Sequence, residues 1–362
     1  MLKNKRLLLF ITMLVLMTIG LIMIYSASYI WASYKFGDSL KYVKQQGIFI
    51  IIGIALSYII LKLDSNFFYK HSKKFLIGSF ILLILVLIPG IGVIRNGSRS
   101  WFGIGSFGVQ PSEAMKLALI ISCSKYLGNK NKINKSLKDI WKVLALTGLA
   151  FLLIMLEPDF GTGVILVMTI VALLFISGLK SKYFKIFMII GLLGATILII
   201  LAPYRLDRIT SFINPWKDPL GSGFQIIQSL FAIGPGGLLG FGFLNSRQKH
   251  FYLPEPQTDF IFSVICEEFG IIGALIVIML FTLLITLIIK LALEQNNLFK
   301  KYVIFTLGFQ MIFQTILNLS VVIGLTPVTG VTLPFISYGG SSLLISIISI
   351  SIILNLTKKK QS

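Results

Sequence analysis

One carboxylate, Asp259, closes the segment YLPEPQTD (252–259) and stands directly before the apolar run FIFSVI. An ionisable group held at the edge of membrane-embedded sequence is a functional-site candidate. The long polar, Gly- and Pro-broken segment leading up to it, 203–260, strengthens that reading, because long irregular connections are uncommon unless functional. Alternatively, Thr258 and Asp259 serve as ordinary helix caps at the end of an aqueous loop. The other acids within reach are Glu255, Asp159, Glu157 and Glu113, and the positive charges are Lys116, Arg99, Arg95, Arg205, Arg208, Arg247 and Lys249. With only two histidines, His71 and His250, the HExxH zinc motif is excluded and no His-based triad can form around the inner-loop His71. Cys123 and Cys266 each stand alone in apolar sequence, which fits core cysteines rather than a disulfide framework or a metal cluster. What remains is a carboxylate that takes a proton and cations that receive negative charge.

Spacing constrains these groups further. Glu113 and Lys116 are three residues apart in an apolar segment and so share one helix face; they form either a structural intramembrane ion pair or a direct substrate contact. Asp159 follows Pro158 at the start of another apolar run, where it caps a helix unless it faces the same cavity. Trp101, between Arg99 and Phe102, reads as an interface anchor before it reads as a sugar platform.

The elements that must position these residues are membrane helices. The 362-residue chain is 56% hydrophobic and 13% charged, with a mean hydropathy of +0.91. Apolar runs close to the roughly 20 residues that cross a bilayer recur at 7–27, 45–62, 75–94, 111–127, 139–157, 161–179, 184–202, 261–289, 302–324 and 335–356. The expected fold is an all-α polytopic membrane protein with ten transmembrane helices. It forms one integral domain, 1–362, with a large extracytoplasmic loop, 203–260, between spans seven and eight. The apolar run of the first span is too long for a typical signal sequence and reads as a retained anchor. With both termini cytoplasmic, 22 of the 33 Lys and Arg fall on inner segments and 10 of the 13 acids on outer ones, as the positive-inside rule requires. The net charge of +20 is therefore divided among short inner loops. It reports topology and contact with anionic lipid rather than nucleic acid. Within the long loop, 223–233 has near-helical apolar spacing and predicts a short amphipathic helix at the interface. The run GPGGLLGFGF (234–243) predicts a bend with close backbone approach and lacks the Lys-Ser/Thr element of a phosphate loop.

Five stretches together, GLIMIYSAS (20–28), SRSWFGIGSFGVQPSEAMK (98–116), EPDFGT (157–162), SRQKHFYLPEPQTDFIFSVICEEFG (246–270) and NLSVVIGLTPVTGVTLPFISYGGSS (318–342), resemble the SEDS family (shape, elongation, division and sporulation) along the whole chain. TGVTLPF and LPEPQTDF are closer to its FtsW/SpoVE branch than to RodA. The resemblance implies a peptidoglycan glycosyltransferase that joins lipid II into glycan strands at the outer face of the bacterial cytoplasmic membrane and releases undecaprenyl diphosphate. It matches the family's catalytic aspartate to Asp259, its functionally sensitive loop Trp to Trp101, and its cavity-lining charges to Glu113, Lys116, Asp159 and Arg99. Glu255 and Lys249, in the same loop as Asp259, are further substrate-contact candidates. A class B penicillin-binding protein is the implied partner, with other division proteins. The chain departs from the family early in span two, where relatives usually carry Arg or Lys followed by Gln: here Gln45 stands in the basic residue's place before Gln46, with Lys44 just ahead, so a diphosphate contact from there would fall to Lys44.

An α-linked donor and a β-linked product imply a single inverting displacement, which needs a base for the acceptor hydroxyl and positive charge for the diphosphate. Lys116, Arg99 or a divalent cation, Mg²⁺ or Mn²⁺, would supply that charge, although no dedicated metal motif is visible. Two other classes remain open on the residues alone: a lipid II flippase or transporter, and a non-enzymatic division scaffold.

Overall fold

The computed structural model describes residues 2–95, 97–104, 107–130, 136–200 and 203–358. Asn96, Gly105, Ser106, Lys132, Lys135, the end of the seventh apolar run at 201–202, the side chain of Arg205, Lys359 and Lys360 all entered the sequence reading and lie outside that description. Twelve α-helices are present among the described residues: α1 (Leu2–Phe36), α2 (Lys41–Lys62), α3 (Phe67–Leu87), α4 (Pro111–Gly128), α5 (Leu137–Leu156), α6 (Phe160–Ile176), α7 (Lys182–Ile200), α8 (Pro203–Ile213), α9 (Phe224–Ile233), α10 (Ile261–Leu293), α11 (Leu298–Val322) and α12 (Gly340–Leu356). Five of them, α1, α2, α5, α10 and α11, are long and apolar enough to cross a membrane by length and composition; α6 and α12 are shorter apolar helices. The expected interfacial helix is α9.

Local chemistry sets several of the ends. Pro111 opens α4, where its missing N–H costs nothing. Ser136 and Asp139 form a capping box at α5, and Asn297 accepts from the Lys300 amide at 3.1 Å to start α11.

Three features depart from the expected architecture. First, the chain is not all-α. Strands β1 (Val93–Arg95), β2 (Ser98–Ile104) and β3 (Phe107–Val109) form an antiparallel meander in the order β1-β2-β3. Glycine makes the tight pairing possible: Gly103 faces Gly108 across the ladder, and a Cβ on Gly103 would lie 1.9 Å from the Phe107 carbonyl oxygen. Second, α10 is broken at Gly270, whose φ of 61° is a left-handed conformation. The amides of Ile271 and Ile272, freed at the break, donate to the carbonyls of Gly237 and Leu238 at 3.0 and 3.2 Å, so the GPGG bend repairs the helix it packs against. Third, α8 was not expected, because its sequence is too polar to register as an apolar run.

Two apolar clusters fill the bundle. One joins α1, α2, α10, α11 and α12, the other α3, α4, α5 and α6. Helix α4 belongs to both, through Ile120 and Ile121 on one side and Met115, Leu119 and Cys123 on the other. The seam helices also carry the buried polarity: Glu113 and Lys116 on α4, and Thr306, Gln310, Gln314 and Asn318 at four-residue spacing on α11. Lys5 near the start of α1 pairs with Glu294 at the end of α10. At the other end of the bundle the strands, the α5–α6 turn, the 203–260 loop and the 323–339 loop meet.

Candidate active site

Asp259 lies one residue before Phe260, the N-cap residue of α10. Its carboxylate accepts from Thr258 Oγ1 at 2.9 Å, and its carbonyl oxygen accepts from Asn318 Nδ2 at 2.8 Å. Asn318 also donates to the Val331 carbonyl at 2.8 Å, so a fully buried amide on α11 ties the backbone of Asp259 to the loop that follows. Burial pushes the Asp259 carboxyl up to about 6; the Thr258 hydroxyl opposes the shift, Glu255 adds to it and Arg208 opposes it. Glu255 itself sits at φ 44° between Pro254 and Pro256. Its carbonyl accepts from the Thr258 amide at 3.0 Å, which closes the turn that presents Asp259.

A second polar group forms at the start of α4. Lys116 Nζ donates to Glu113 Oε1 at 2.8 Å, with 1% and 8% of the two side chains exposed. The Glu113 amide donates to the Gln110 carbonyl at 3.1 Å, and Gln110 Nε2 donates to Asp159 Oδ2 at 2.7 Å. The other Asp159 oxygen caps α6 by accepting from the Thr162 amide at 3.0 Å. Asp159 is thus held by Gln110 at the first turn of α4, the helix that carries Glu113 and Lys116. Asp159 therefore caps α6, as its capping reading expected, and is also hydrogen-bonded to Gln110. The meander attaches here as well, since Ser98 Oγ donates to the Glu157 carbonyl. Trp101 faces Val93 across the ladder and lies under the Arg95 guanidinium at 5.2 Å. Arg99 lays its stem over Gly92.

The 323–339 loop connects both groups. Its Val328 carbonyl accepts from Arg208 Nη1 at 3.0 Å, and its Val331 carbonyl from Asn318, as above. A Cβ on Gly161, at the start of α6, would come within 2.7 Å of its Thr329 carbonyl oxygen. Tyr338 donates its amide to the Gln257 carbonyl at 2.8 Å and its hydroxyl to Gln45 Oε1. Gln46 Nε2 donates to the Ser337 carbonyl at 3.0 Å. Gln45 and Gln46 therefore anchor this loop, while Lys44 pairs with Asp38 at 2.8 Å.

The structure separates Lys249 from the other candidates. Its ammonium is fully buried, 2.8 Å from Glu268 Oε1 and 3.2 Å from Ser26 Oγ on α1, so its charge is engaged in holding the loop between α1 and α10. Neighbouring Glu267 accepts from the Arg247 amide at 2.8 Å. Gln110, Asn318 and Glu268 were not among the candidates: they are ordinary polar residues whose partners lie 49, 59 and 19 or more positions away. No three His, Cys, Asp or Glu side chains gather to hold a metal ion among the described residues.

Residues 6–362 match the cell cycle protein family that groups FtsW, RodA and SpoVE. Stage V sporulation protein E of Bacillus subtilis is 48% identical over 353 residues, 97% of this chain and 96% of that one. A protein of Coxiella burnetii named "Probable peptidoglycan glycosyltransferase FtsW" is 40% identical over 351 residues, 96% and 94% of the two chains. Among solved structures, a chain from "Structural coordination of polymerization and crosslinking by a peptidoglycan synthase complex" superposes with a TM-score of 0.80 at 28% identity, covering 96% of each chain. The rod shape determining protein RodA of Thermus thermophilus shares the fold, with a TM-score of 0.72 at 24% identity over 98% and 97% of the chains. With its apolar helices and these relatives, the chain is a multi-pass membrane protein. It belongs to the FtsW/RodA/SpoVE family, the SEDS proteins.

Proposed function

We infer that this chain is a peptidoglycan glycosyltransferase that polymerises lipid II, with Asp259 as general base. The carrying observation is the placement of Asp259 just before α10, where its carboxylate accepts from Thr258 and its backbone is fixed by Asn318, with the carboxyl raised by burial to about 6. A base with that pKa is mostly ionised at neutral pH yet takes a proton more readily than an ordinary aspartate. The acceptor sugar hydroxyl gives its proton to the carboxylate as its oxygen bonds to the anomeric carbon of the donor. The bond from that carbon to the diphosphate breaks, and the diphosphate leaves with the electron pair. One displacement inverts the centre, and no enzyme nucleophile is required.

The leaving diphosphate needs positive charge, and Lys116, buried against Glu113 near the start of α4, is the cation proposed for it. A divalent cation would add to that neutralisation, carried by the diphosphate. A class B penicillin-binding protein is the proposed partner, in keeping with the synthase complex that this fold resembles.

For the membrane arrangement we propose ten spans, α1–α7 and α10–α12, with the termini and the basic loops cytoplasmic. The site then lies on the extracytoplasmic side, where the sugars of lipid II stand while its tail stays in the bilayer. Polymerisation of lipid II by the purified protein tests the function. Asp259→Asn should abolish product with expression and thermal stability retained; undiminished polymer from that variant would remove Asp259 as the base.

A further inference from the structure

At the end of the bundle that carries the Lys5–Glu294 pair, opposite Asp259, the start of α3, the end of α4 and the α10–α11 connection frame a cavity of about 330 Å³ that no role above employs. Four asparagines line it, Asn66, Asn129, Asn296 and Asn297, with Lys300 beside them and no carboxylate among the described residues. Tyr69 organises its floor. The Tyr69 hydroxyl donates to Asn129 Oδ1 at 2.9 Å, its carbonyl accepts from Lys125 Nζ at 2.7 Å, and its ring meets Phe299 edge-on at 5.2 Å. Helix α4 ends so close to α11 that a Cβ on Gly128 would lie 3.2 Å from the Phe299 nitrogen. The atoms already in use fix the sign of a ligand. Asn129 Oδ1 holds the Tyr69 hydroxyl and Asn297 Oδ1 holds the Lys300 amide at 3.1 Å. With those oxygens engaged, the two side chains have N–H groups left to offer. The nearest acids are paired, Asp64 with Lys70 at 3.8 Å and Glu294 with Lys5. Donors from separate elements, lysine alongside and no acid in the lining suit an oxyanion.

The flanking residues set the level of the cavity relative to the bilayer. Lys130 lies over the Tyr126 ring at 5.1 Å, and Lys142 lies 5.6 Å from the ring of Trp141, which is exposed at the same end of α5. Aromatic rings with lysines at helix ends mark a membrane–water interface, and basic pockets between helices on the cytoplasmic side are where acidic headgroups bind. We propose that this cavity binds the phosphodiester headgroup of an anionic phospholipid of the inner leaflet. The volume holds a phosphate and its glycerol, and the acyl chains stay in the bilayer. Helices α4 and α11 run from the cavity to the Glu113–Lys116 pair and to Asn318, so a bound headgroup ties together the inner ends of two helices that position the candidate active site. The proposal takes only the leaflet from the membrane arrangement above, and headgroup binding is read whether or not the chain polymerises lipid II.

Spin-labelled phosphatidylglycerol added to the purified full chain in phosphatidylcholine nanodiscs tests it, with spin-labelled phosphatidylcholine as the reference. The wild-type protein should immobilise phosphatidylglycerol in preference. Asn129→Asp with Asn296→Asp keeps an acceptor for Tyr69 and the side-chain volumes while replacing N–H donors by negative charge. It should lower the preference about tenfold. Ser181→Asp with Lys182→Gln makes the same change in net charge on another loop of that face and should leave the preference near the wild-type value. Asn296→Asp alone, on the exposed α10–α11 connection, should show a smaller drop in the same direction and decides the matter if the double variant fails to fold. Excess inorganic phosphate should leave the labelled lipid bound; displacement by it would make soluble phosphate the ligand and overturn the lipid assignment. A wild-type protein without preference, folded cavity variants that retain it, or an equal loss in the Ser181 and Lys182 control overturns the site.

Discussion

Among the described residues two buried Lys–Glu pairs have the same 2.8 Å separation but join different things. Lys249 and Glu268 come from a loop and from α10, and Ser26 of α1 completes the group; the pair joins three elements. Glu113 and Lys116 lie one turn apart on α4, so their contact joins nothing that the helix does not already hold together. Desolvating two charges is expensive. For Lys249 the expense is offset by tertiary attachment. For Lys116 the contact attaches no second element, which is why Lys116 is the cation we propose for the leaving diphosphate. A buried ion pair that spans elements is thus accounted for by the architecture, whereas one confined to a single helix is not accounted for by tertiary attachment.

Breaking each pair separates the two roles. Lys249→Met leaves Glu268 buried without its cation and should destabilise the protein by about 3–5 kcal/mol, read as a lower unfolding midpoint in detergent. Lys116→Met should cost about 10²–10³-fold in lipid II polymerisation, the range for losing one group that stabilises developing charge, together with a loss of stability, since Glu113 is left buried without its cation. The double replacement Glu113→Gln with Lys116→Met sharpens the contrast. It removes both charges and should return the midpoint to near the wild-type value while activity stays low. Recovered activity in that double variant would make the pair structural. Asn318→Ala combines both characters, because Asn318 crosses elements and also holds Asp259. Loss of its two hydrogen bonds should cost about 1–3 kcal/mol and lower kcat more than it raises KM.

Much of this contrast was legible from residue order alone. Glu113 and Lys116 are local, so their spacing announced a shared face, and Asp259 stood out because a carboxylate beside a long apolar run needs a reason. Ten apolar runs foresaw the helical bundle, and near-helical spacing foresaw α9. Long-range partners carried no such signal. Nothing near Lys249 in the chain points to Ser26, 223 positions earlier, and nothing near Gln110 points to Asp159. The break at Gly270 was hidden inside apolar sequence, since hydropathy does not register a single left-handed residue; it depends on the GPGG bend supplying carbonyls. The meander escaped notice because a glycine-rich stretch reads as loop until its cross-strand partners are known.

The pH dependence of lipid II polymerisation bears most directly on Asp259 as the base. Its carboxyl is raised in the folded protein, so the proton is held more tightly than in the unfolded chain, and the carboxylate is the working form only above about pH 6. The predicted profile for kcat is level near neutral pH and falls about tenfold per unit below about pH 6, a limb that disappears together with the activity in Asp259→Asn. A profile that stays flat well below pH 6, or a limb that persists in an active Asp259→Asn protein, would contradict the account.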